Sequence, residues 1–318
     1  MLEEKSKWFA IVNPKAGFGK VKKEWPTIQK HLIDEGVVFD FMVTERKYHA
    51  VELTVSAINR GYKKILCIGG DGTLNEIVNG IFIQTKYPQT DVLIGTIGIG
   101  KCNIFERMYA MPKSYKGIAA AIKEEKYFMQ DIGVVQFFES RIRHTRYFAN
   151  SGGIGFEAEL NFNSNMLKES GRKIRIHFLF SILKSLIRYR KSMVKVQIDD
   201  FNLSGKFFSI LVRIVTYNKE AILATPNANP DEAMFDIAII NNIRRWQVIR
   251  NLQRLSDSSI QNHPKISRYK GKKVTISSKP HVNLVVDGES LGSSPFSFSI
   301  LPKSIKVLVG SDFKGVNQ

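Results

Sequence analysis

The sequence predicts an α/β domain with a parallel sheet, followed by a domain of antiparallel strands. In the first third, four apolar runs alternate with helix-length segments, at residues 8–12, 38–43, 65–68 and 92–97. Strands separated by helices are typical of a parallel sheet, whose ligands bind beyond the carboxyl ends of its strands. From about Asp131 short β-like runs follow, at residues 195–198, 207–215, 236–240, 274–276 and 282–286. These runs predict antiparallel pairing in the second domain.

The length and net charge of the chain limit the number of domains and the kinds of partner to expect. The chain has 318 residues, and because single hydrophobic cores stop growing near about 250 residues, two domains are expected. Its 47 Lys and Arg against 29 Asp and Glu give a net charge of +18. Such an excess favours an anionic partner, and charge alone leaves open a nucleic acid, a phospholipid surface and a polyanionic substrate.

Cysteine usage and hydropathy indicate the compartment. Cys67 and Cys102 form no CxxC motif, and the six histidines include no HxxxH pair. We therefore expect a reduced, cytoplasmic setting without structural zinc. The first residues lack the apolar core of a signal peptide, and no window approaches about 18 uninterrupted apolar residues. Any membrane contact is expected to be peripheral.

A glycine-rich segment follows the third predicted strand and reads Gly-Gly-Asp-Gly-Thr-Leu-Asn-Glu over residues 69–76. Glycines let backbone N–H groups approach an anion, and a helix that begins there adds its positive N-terminal end. Asp71 lies where a carboxylate could hold Mg²⁺. The segment therefore predicts phosphate binding. Taken alone, it also fits a simple glycine-rich turn.

A second glycine loop, Asn-Pro-Lys-Ala-Gly-Phe-Gly-Lys over residues 13–20, follows the first predicted strand. Both loops leave the carboxyl ends of parallel strands, so we expect them at one edge of the sheet. Residues 95–102 match the spacing of a P-loop, but Cys102 stands where Ser or Thr would bind Mg²⁺. The P-loop is therefore the less favoured interpretation.

Together these loops make the chain similar to the diacylglycerol kinase family catalytic domain, which includes bacterial soluble lipid kinases and the related sphingosine and ceramide kinases. The matching segments are Asn13-Pro14 with Gly17 and Gly19, Thr44, residues 69–76 and Asp287-Gly288-Glu289. Weaker similarity follows in the same order at residues 150–156 and 226–228. The resemblance covers nearly the whole chain.

This resemblance implies two domains, with ATP and Mg²⁺ in the cleft between them. The N-terminal α/β domain would span residues 1–131, completed by 303–318, and the C-terminal antiparallel β-sandwich domain residues 132–302. Glu289 would be the general base, and Asp71 would act through Mg²⁺. The residues implied to contact the nucleotide are Asn13, Pro14, Lys15, Ala16, Gly17, Thr44, Gly70, Gly72, Thr73, Leu74, Asn75, Glu76 and Lys101.

The chemistry suits Glu289, because a carboxylate beyond an apolar strand and a tight Asp-Gly turn can project into a cleft. Asp-Gly is also a common hairpin signal, so a simple hairpin turn is the competing interpretation of residues 287–289.

Two segments differ from the family pattern. Where the family usually shows Gly-Thr-x-Asn-Asp, this chain reads Gly-Lys-Cys-Asn-Ile over residues 100–104, and Lys101 could meet a phosphate as a point charge. Where the family usually shows Asp-Gly in a structural Mg²⁺ turn, this chain has Glu232 and Ala233. The metal ligands implied there are the Glu232 carboxylate and the carbonyls of Asn229 and Met234. Without glycine, a positive φ in this turn is costly.

The basic excess concentrates in the second domain, at residues 141–146, 168–175 and 184–191. Between the last two runs, apolar residues at helical spacing predict a helix with a wide apolar face. It either packs on its own domain or lies at a membrane interface, with its cations on anionic head groups.

The sequence thus predicts an ATP- and Mg²⁺-dependent lipid kinase that phosphorylates a diacylglycerol-like or long-chain-base-like acceptor. It would contact the inner face of an anionic membrane peripherally, without binding nucleic acid, and a homodimer is compatible with this prediction. The alternatives are an NAD kinase, and a catalytically inactive nucleotide-binding protein of the membrane surface.

Overall fold

The computed structural model describes residues 7–99, 104–156, 158, 185–186, 189, 192–215, 229–241 and 264–315. The chain divides into two compact units. The first comprises Met1–Ile132, Pro230–Glu232 and Leu301–Gln318, and the second comprises Gly133–Asn229 and Ala233–Ile300. Lys101 with Cys102 and Asn103, all but a few residues of the predicted basic helix, and residues 226–228 lie outside the described residues.

The first unit is an α/β layer structure. Its elements in chain order are β1 (Trp8–Val12), α1 (Ala16–Asp34), β2 (Phe39–Val43), α2 (His49–Arg60), β3 (Lys64–Gly69), α3 (Asp71–Ile83), β4 (Leu93–Gly98), α4 (Ile104–Met108) and α5 (Tyr115–Glu124). The strands are parallel in the order β4-β3-β1-β2. The predicted parallel sheet is confirmed, with each of its four strands within a residue or two of its predicted position.

Alternation along β1 explains how this sheet is covered. Trp8, Ala10 and Val12 share one core cluster with buried residues of α1 and α5. Phe9 lies between them in sequence and contacts the buried ring of Tyr62, which follows α2. Successive side chains of a strand point to opposite faces, so β1 is buried on both faces, as the central strand of a parallel sheet must be.

The second unit is built from antiparallel strands. Its strands are β5 (Tyr127–Glu139), which begins in the first unit, β6 (Ile142–Phe148), β7 (Ser151–Gly155), β8 (Met193–Ile198), β9 (Phe201–Gly205), β10 (Ser209–Arg213), β11 (Phe235–Ile240), β12 (Ile266–Gly271), β13 (Lys273–Lys279), β14 (Asn283–Val286) and β15 (Glu289–Leu308). One ladder runs β12-β11-β10-β7-β14-β15, and β13, β8 and β9 follow from β15. The predicted antiparallel pairing is confirmed.

Strand β15 ends in the first unit, where Lys306 and Val307 pair in parallel with Leu93 and Ile94 of β4. Within the described residues, no helix is both long and apolar enough to cross a bilayer.

Helices α2 and α3 approach each other closely at Gly80. A Cβ atom on Gly80 would lie 2.6 Å from the Cβ of Thr54 and 2.9 Å from the carbonyl oxygen of Val51. Thr54 is fully buried and donates its hydroxyl to the carbonyl of Ala50 at 2.6 Å, which fixes its side chain. The contact therefore holds only with glycine at position 80, and it sets how closely α3 packs against α2.

We expect Gly80→Ala to lower the free energy of unfolding by about 1–3 kcal/mol, because the added methyl group meets backbone and a fixed side chain. By helix propensity alone, replacing glycine with alanine in a helix interior would stabilise the protein by about 1 kcal/mol. A lower free energy of unfolding in Gly80→Ala would therefore identify the packing contact as its cause. Urea unfolding followed by circular dichroism measures it.

Gly72→Ala is the matched control, since Gly72 lies in the same helix and a Cβ there has no atom within 4 Å. Its stability should equal or exceed that of the wild type. Equal behaviour of the two variants would contradict the close approach at Gly80.

Candidate nucleotide-binding and catalytic site

The loop after β3 presents backbone N–H groups at the start of α3. Gly70 is the extended residue before the helix, which begins at Asp71. The first N–H groups of a helix have no partner within it, and the helix dipole is positive there. A Cβ on Gly70 or Gly72 would meet no atom within 4 Å, whereas one on Gly69 would lie 2.7 Å from the hydroxyl of Thr73. Gly69 is thus required for packing, and Gly70 and Gly72 leave open space for a ligand.

The loop after β1 is tied to this helix start through Asn13. The Asn13 side-chain amide donates to the hydroxyl of Thr73 at 2.9 Å, and its side-chain oxygen accepts the N–H of Lys15 at 3.1 Å. Its backbone N–H donates to the carbonyl of Ile68 at 2.9 Å. The two glycine loops therefore meet at one edge of the sheet, as their positions in the sequence predict.

Backbone conformation gives the glycines of the first loop a specific role. Gly17, Phe18 and Gly19 have φ values of 60°, 60° and 82°, all in the left-handed region. A Cβ on Gly17 would lie 2.8 Å from the carbonyl oxygen of Ile99, so both its conformation and its surroundings require glycine. Pro14, Lys15 and Ala16 precede this turn. Lys15 is exposed, with its ammonium group 3.5 Å from the carbonyl of Glu45.

Three other predicted nucleotide contacts have side chains that serve the fold. Leu74 and Asn75 are buried in α3, and Leu74 lines a small pocket beside Asp71. The carboxylate of Glu76 accepts the N–H groups of Tyr48 and Ala50 at 3.0 and 3.1 Å. Glu76 thereby holds the first turn of α2 against α3, and its place in a phosphate site stays a prediction.

Thr44 follows β2 directly, and its backbone N–H donates to the carbonyl of Val12 at 2.8 Å. Its side chain is buried. Thr44 is thus anchored at the carboxyl edge where the two glycine loops meet.

Asp71 borders a small pocket in the first unit that is also lined by Cys67, Thr96, Phe105 and Glu106. Glu106 accepts the backbone N–H of Gly98, which fixes its carboxylate at the end of β4. Burial, followed by the charges of Asp71 and Glu106, raises the pKa of the Cys67 thiol well above its ordinary value. Cys67 is therefore a neutral thiol, and the pocket is electrostatically suited to a cation.

The P-loop interpretation does not fit the fold. Gly95 lies within β4, and a Cβ there would be 3.1 Å from the ring of Trp8. A P-loop needs that glycine in a turn after the strand, so Gly95 has a packing role.

The Asp287-Gly288 turn joins β14 to β15 in the second unit. Asp287 and Gly288 have φ values of 45° and 81°, as a two-residue hairpin turn requires. The Asp287 carboxylate accepts the backbone N–H groups of Ala149, Asn150 and Ser151 at 2.9, 3.0 and 2.9 Å. Residues 287–288 therefore form a two-residue hairpin turn that is held rigidly to the start of β7. This conformation does not decide the catalytic role of Glu289, which stays a prediction.

Glu289 is the first residue after this turn, and its carboxylate forms an ion pair with the guanidinium of Arg146 on β6. Their side chains are 17% and 16% exposed, so this is a mostly buried pair. In the sequence, Arg146 stands out only as one member of a basic run. Its position two residues before the buried Phe148, on the same face of β6, is the signal that could have separated it from its exposed neighbours.

The predicted metal turn adopts the conformation that glycine would favour. Ala233 has a φ of 56°, in the left-handed region. Asn229 is buried, and its side-chain oxygen has no hydrogen-bond partner among the described residues. Glu232 and Met234 are half-buried. No cluster of three or more His, Cys, Asp or Glu side chains that could hold a metal occurs in the described part of the chain. The predicted ligand set, the Glu232 carboxylate with the main-chain oxygens of Asn229 and Met234, stays a prediction.

Asp131 fixes the segment that leads into this turn. It is fully buried, its N–H donates to the carbonyl of Pro230 at 2.7 Å, and its carboxylate accepts the N–H of Lys303 at 2.7 Å.

Tyr109 is a buried tyrosine near Asp131. Its pKa is raised well above its ordinary value by burial, followed by the charges of Asp231 and Asp131. The Tyr109 hydroxyl donates to the side-chain oxygen of Gln130 at 2.5 Å. Sequence analysis identified none of these contacts.

Two protein families match the chain. The family described as "Diacylglycerol kinase catalytic domain" matches residues 7–135, and the one described as "YegS C-terminal NAD kinase beta sandwich-like domain" matches residues 151–309. The two matches together account for most of the chain.

Relatives with similar sequences align along nearly the full length. "Putative lipid kinase YtlR" of Bacillus subtilis (strain 168) is 28% identical over 322 residues, covering 95% of this chain and 99% of that relative. "Diacylglycerol kinase" of Staphylococcus haemolyticus (strain JCSC1435) is 27% identical over 304 residues, covering 95% of this chain and 88% of the relative.

Among solved structures, "a putative diacylglycerol kinase from Bacillus anthracis str. Sterne" is similar with a TM-score of 0.76 and 20% identity, covering 97% of this chain and 98% of that one. At this identity the likeness supports the fold alone.

We expect Ala233→Gly to raise the free energy of unfolding by about 0.5–1 kcal/mol, because glycine adopts positive φ without the Cβ contact that alanine suffers. Thermal or urea unfolding measures the change. Ala120→Gly in α5 is the control, since the same substitution in an ordinary helix should cost about 0.5–1 kcal/mol. A loss of stability at both positions would contradict the left-handed conformation of Ala233.

Proposed function

This chain belongs to the diacylglycerol kinase family, and from that membership we propose that it is an ATP- and Mg²⁺-dependent lipid kinase. Its acceptor would be the hydroxyl of a diacylglycerol-like or long-chain-base-like lipid. We further propose that it acts as a peripheral protein on the cytoplasmic face of an anionic membrane, which a net charge of +18 supports.

The observation that carries this proposal is the hydrogen bond between Asn13 and Thr73, which holds two glycine loops at one sheet edge. Phosphoryl transfer needs little covalent help from a protein, and depends on neutralising phosphate charge and aligning an acceptor hydroxyl. Backbone N–H groups at the start of α3, together with the exposed Lys15, supply the positive groups for the phosphates. The open space at Gly70 and Gly72 gives a phosphate access to them.

Asp71 is the carboxylate that would hold a Mg²⁺ ion beside those phosphates. Bound there, the metal would neutralise charge on the phosphate oxygens. The pocket fits such an ion, because Asp71 and Glu106 both contribute negative charge to it. At the second predicted metal position, the proposed ligands are the Glu232 carboxylate and the main-chain carbonyls of Asn229 and Met234. The side-chain oxygen of the buried Asn229, which has no hydrogen-bond partner among the described residues, is a further hard donor of the type that Mg²⁺ prefers.

Glu289 is proposed as the general base that takes the proton of the lipid hydroxyl. Arg146 is proposed as its positioning residue. An arginine in contact favours the ionised carboxylate, which is the form able to accept a proton. The same contact makes the Glu289 carboxylate a weaker base. A weak base is sufficient, because the transition state of phosphoryl transfer is loose. The cleft between the two predicted domains, and the contact of Lys101 with a phosphate, remain predictions.

NAD kinase is the nearest alternative, and the match of the C-terminal half to an NAD kinase-like β-sandwich keeps it in consideration. We favour the lipid kinase because an NAD kinase is expected to lack both the Asn-Pro-x-x-Gly loop and the late Asp-Gly-Glu segment. Labelled ATP offered with diacylglycerol in mixed vesicles and, separately, with NAD distinguishes the two. Nucleotide binding without transfer to either acceptor would instead support the inactive membrane-surface protein.

Glu289→Gln should retain the fold and ATP affinity but lose lipid phosphorylation by about 10²-fold or more, the usual scale for a positioned general base. Glutamine keeps the shape of glutamate and cannot accept a proton at neutral pH. Turnover measured beside ATP binding by calorimetry tests this, with Glu139→Gln at an exposed position of β5 as the control. Normal turnover would remove Glu289 from the mechanism, and lost ATP binding would place it at the nucleotide.

Arg146→Met should lower turnover and move the acid limb of the pH–rate profile to higher pH, because the carboxylate loses the charge that favours its ionised form. Arg146→Lys should restore part of that shift. Arg143→Met is the control, since Arg143 is exposed and lies on the opposite face of β6. If Arg146→Met lowers the rate equally at every pH and leaves the position of the acid limb unchanged, Arg146 has a packing role only.

A further inference from the structure

Strands β5 and β6 are joined by a tight turn, and together they form a hairpin in the second unit. Glu139 pairs with Ile142 at the end of their ladder, so Ser140 and Arg141 make the turn. Both turn residues have positive φ values, 49° and 66°, as a two-residue hairpin turn requires. One side of the hairpin is braced by β15, which pairs with β5. The turn is therefore held at the end of a regular ladder.

Two large apolar side chains are exposed at this end of the hairpin. Ile142 is 62% exposed and Phe138 is 40% exposed. They belong to successive cross-strand pairs of the ladder, and successive pairs point to opposite faces of a sheet. An end that is apolar on both faces is suited to entering an apolar medium tip first, whereas a flat partner surface would cover only one of the two side chains.

Positive charge accompanies these apolar side chains. Arg141 and Arg143 are both exposed, and Glu139 is the one acidic residue between positions 138 and 144. The Arg143 guanidinium donates to the side-chain oxygen of Gln136, a neutral partner that leaves its charge uncancelled. Cations beside an apolar insertion are attracted to anionic head groups, and arginine can keep its charged end at head-group level while its stem lies among apolar groups.

The same hairpin leads directly to the proposed general base. Arg146, which pairs with Glu289, lies on β6 four residues beyond Ile142, or about 13 Å along the strand. On the other side, a Cβ atom on Gly292 would overlap the carbonyl oxygen of Phe138, so β15 follows the hairpin from Glu289 towards its tip. Interfacial elements enter a membrane by about 5–10 Å. With the tip inserted, Glu289 would therefore lie near the level of the lipid head groups.

We propose that this tip, formed by Phe138, Arg141, Ile142 and Arg143, inserts into the head-group region of an anionic bilayer and brings Glu289 to the acceptor hydroxyl. The inference rests on the proposed function, in which the acceptor is a membrane lipid, and it identifies the surface that docks. A nucleic acid is the less suitable partner, because bases stack on aromatic side chains and the more exposed apolar residue of the tip is the aliphatic Ile142.

Removing the apolar side chains tests the insertion. Flotation with vesicles of phosphatidylglycerol and phosphatidylcholine measures binding of the full chain. Phe138→Ser combined with Ile142→Ser should weaken binding by about 10-fold or more, since both side chains lose their transfer to an apolar phase. Ile142→Trp should instead retain binding, because indole favours the membrane interface. The fluorescence of the added indole should be quenched by lipids with brominated acyl chains.

Phe201 provides the matched apolar control, because it is 50% exposed and belongs to the same unit. The register of β9, β8 and β13 places it in line with Phe298 on β15. Phe298 is six residues from Gly292, which is about 20 Å along that strand. Phe201→Ser should leave vesicle binding unchanged, and the added indole of Phe201→Trp should not be quenched.

Arg141→Glu should weaken vesicle binding more strongly at low salt than at high salt, because salt screens exposed charges within about 10 Å at 0.1 M. Lys273→Glu is its control, since it makes the same change in net charge at an exposed position. Lys273 pairs with Ser299, seven residues along β15 from Gly292. Equal losses in the two variants would overturn the inference, because binding would then follow the net charge of the whole chain.

Vesicle binding that survives the loss of both apolar side chains, or an Ile142→Trp indole that is not quenched, would also overturn the inference. A short-chain diacylglycerol dissolved below its aggregation concentration separates docking from catalysis. The serine variant should phosphorylate this dissolved acceptor as the wild type does, and a loss there would place the tip in the site instead of at a membrane. If the wild type phosphorylates no lipid while vesicle binding still depends on the tip, the proposed function fails and this inference stands.

Discussion

The hydrogen bond from the Asn13 amide to the Thr73 hydroxyl is the contact on which the proposed nucleotide site depends. Loops that leave neighbouring parallel strands begin at the same edge, but each could turn in any direction. Asn13 removes that freedom with a single side chain. Its side-chain oxygen accepts a hydrogen bond from the N–H of Lys15 in its own loop, and its amide donates a hydrogen bond to Thr73 in the helix that follows β3. Thr73 receives this bond while it packs under Gly69. Phosphate binding by backbone N–H groups requires such rigidity, since these groups cannot reach for a ligand as a lysine can.

Local charge in the site differs from the charge of the whole chain. A net charge of +18 suggests a protein that attracts anions everywhere, yet three carboxylates, those of Asp71, Glu106 and Glu76, lie near the end of β3. The pKa of Cys67 is raised there, by burial first and then by these charges. A phosphate group entering alone would meet repulsion from these carboxylates. A phosphate that arrives bound to a divalent cation would instead be attracted, because the carboxylates interact favourably with the cation. Under the proposed function, these acidic residues would favour the metal complex of a nucleotide over the free nucleotide.

Much of the fold could be predicted from the sequence, because it depends on local patterns. Four strands of the parallel sheet follow from short apolar runs, and the turn at Asp287 from a dipeptide with a known conformation. The pairing of Arg146 with Glu289 could not be predicted, since these residues are 143 positions apart and meet only after β6, β14 and β15 have assembled. For a similar reason, the sequence could not predict which groups the Glu76 carboxylate contacts, and a phosphate contact of Glu76 stays a prediction. Its place in a glycine-rich segment suggested a phosphate contact, whereas its carboxylate accepts N–H groups from a helix 26 and 28 residues earlier.

The buried thiol of Cys67 makes the centre of the sheet observable in solution. Alkylating reagents react with a thiolate, and both burial and neighbouring carboxylates keep this sulfur protonated. The folded chain should therefore be almost inert at this position, and modification should occur only when β3 separates from its neighbours. Under those conditions the labelling rate reports the free energy of local opening rather than chemical reactivity. A ligand that binds at the adjacent Asp71 would slow the labelling of Cys67, and a ligand of higher affinity would slow it more. The labelling rate of Cys67 can therefore report occupancy of the site without a catalytic assay.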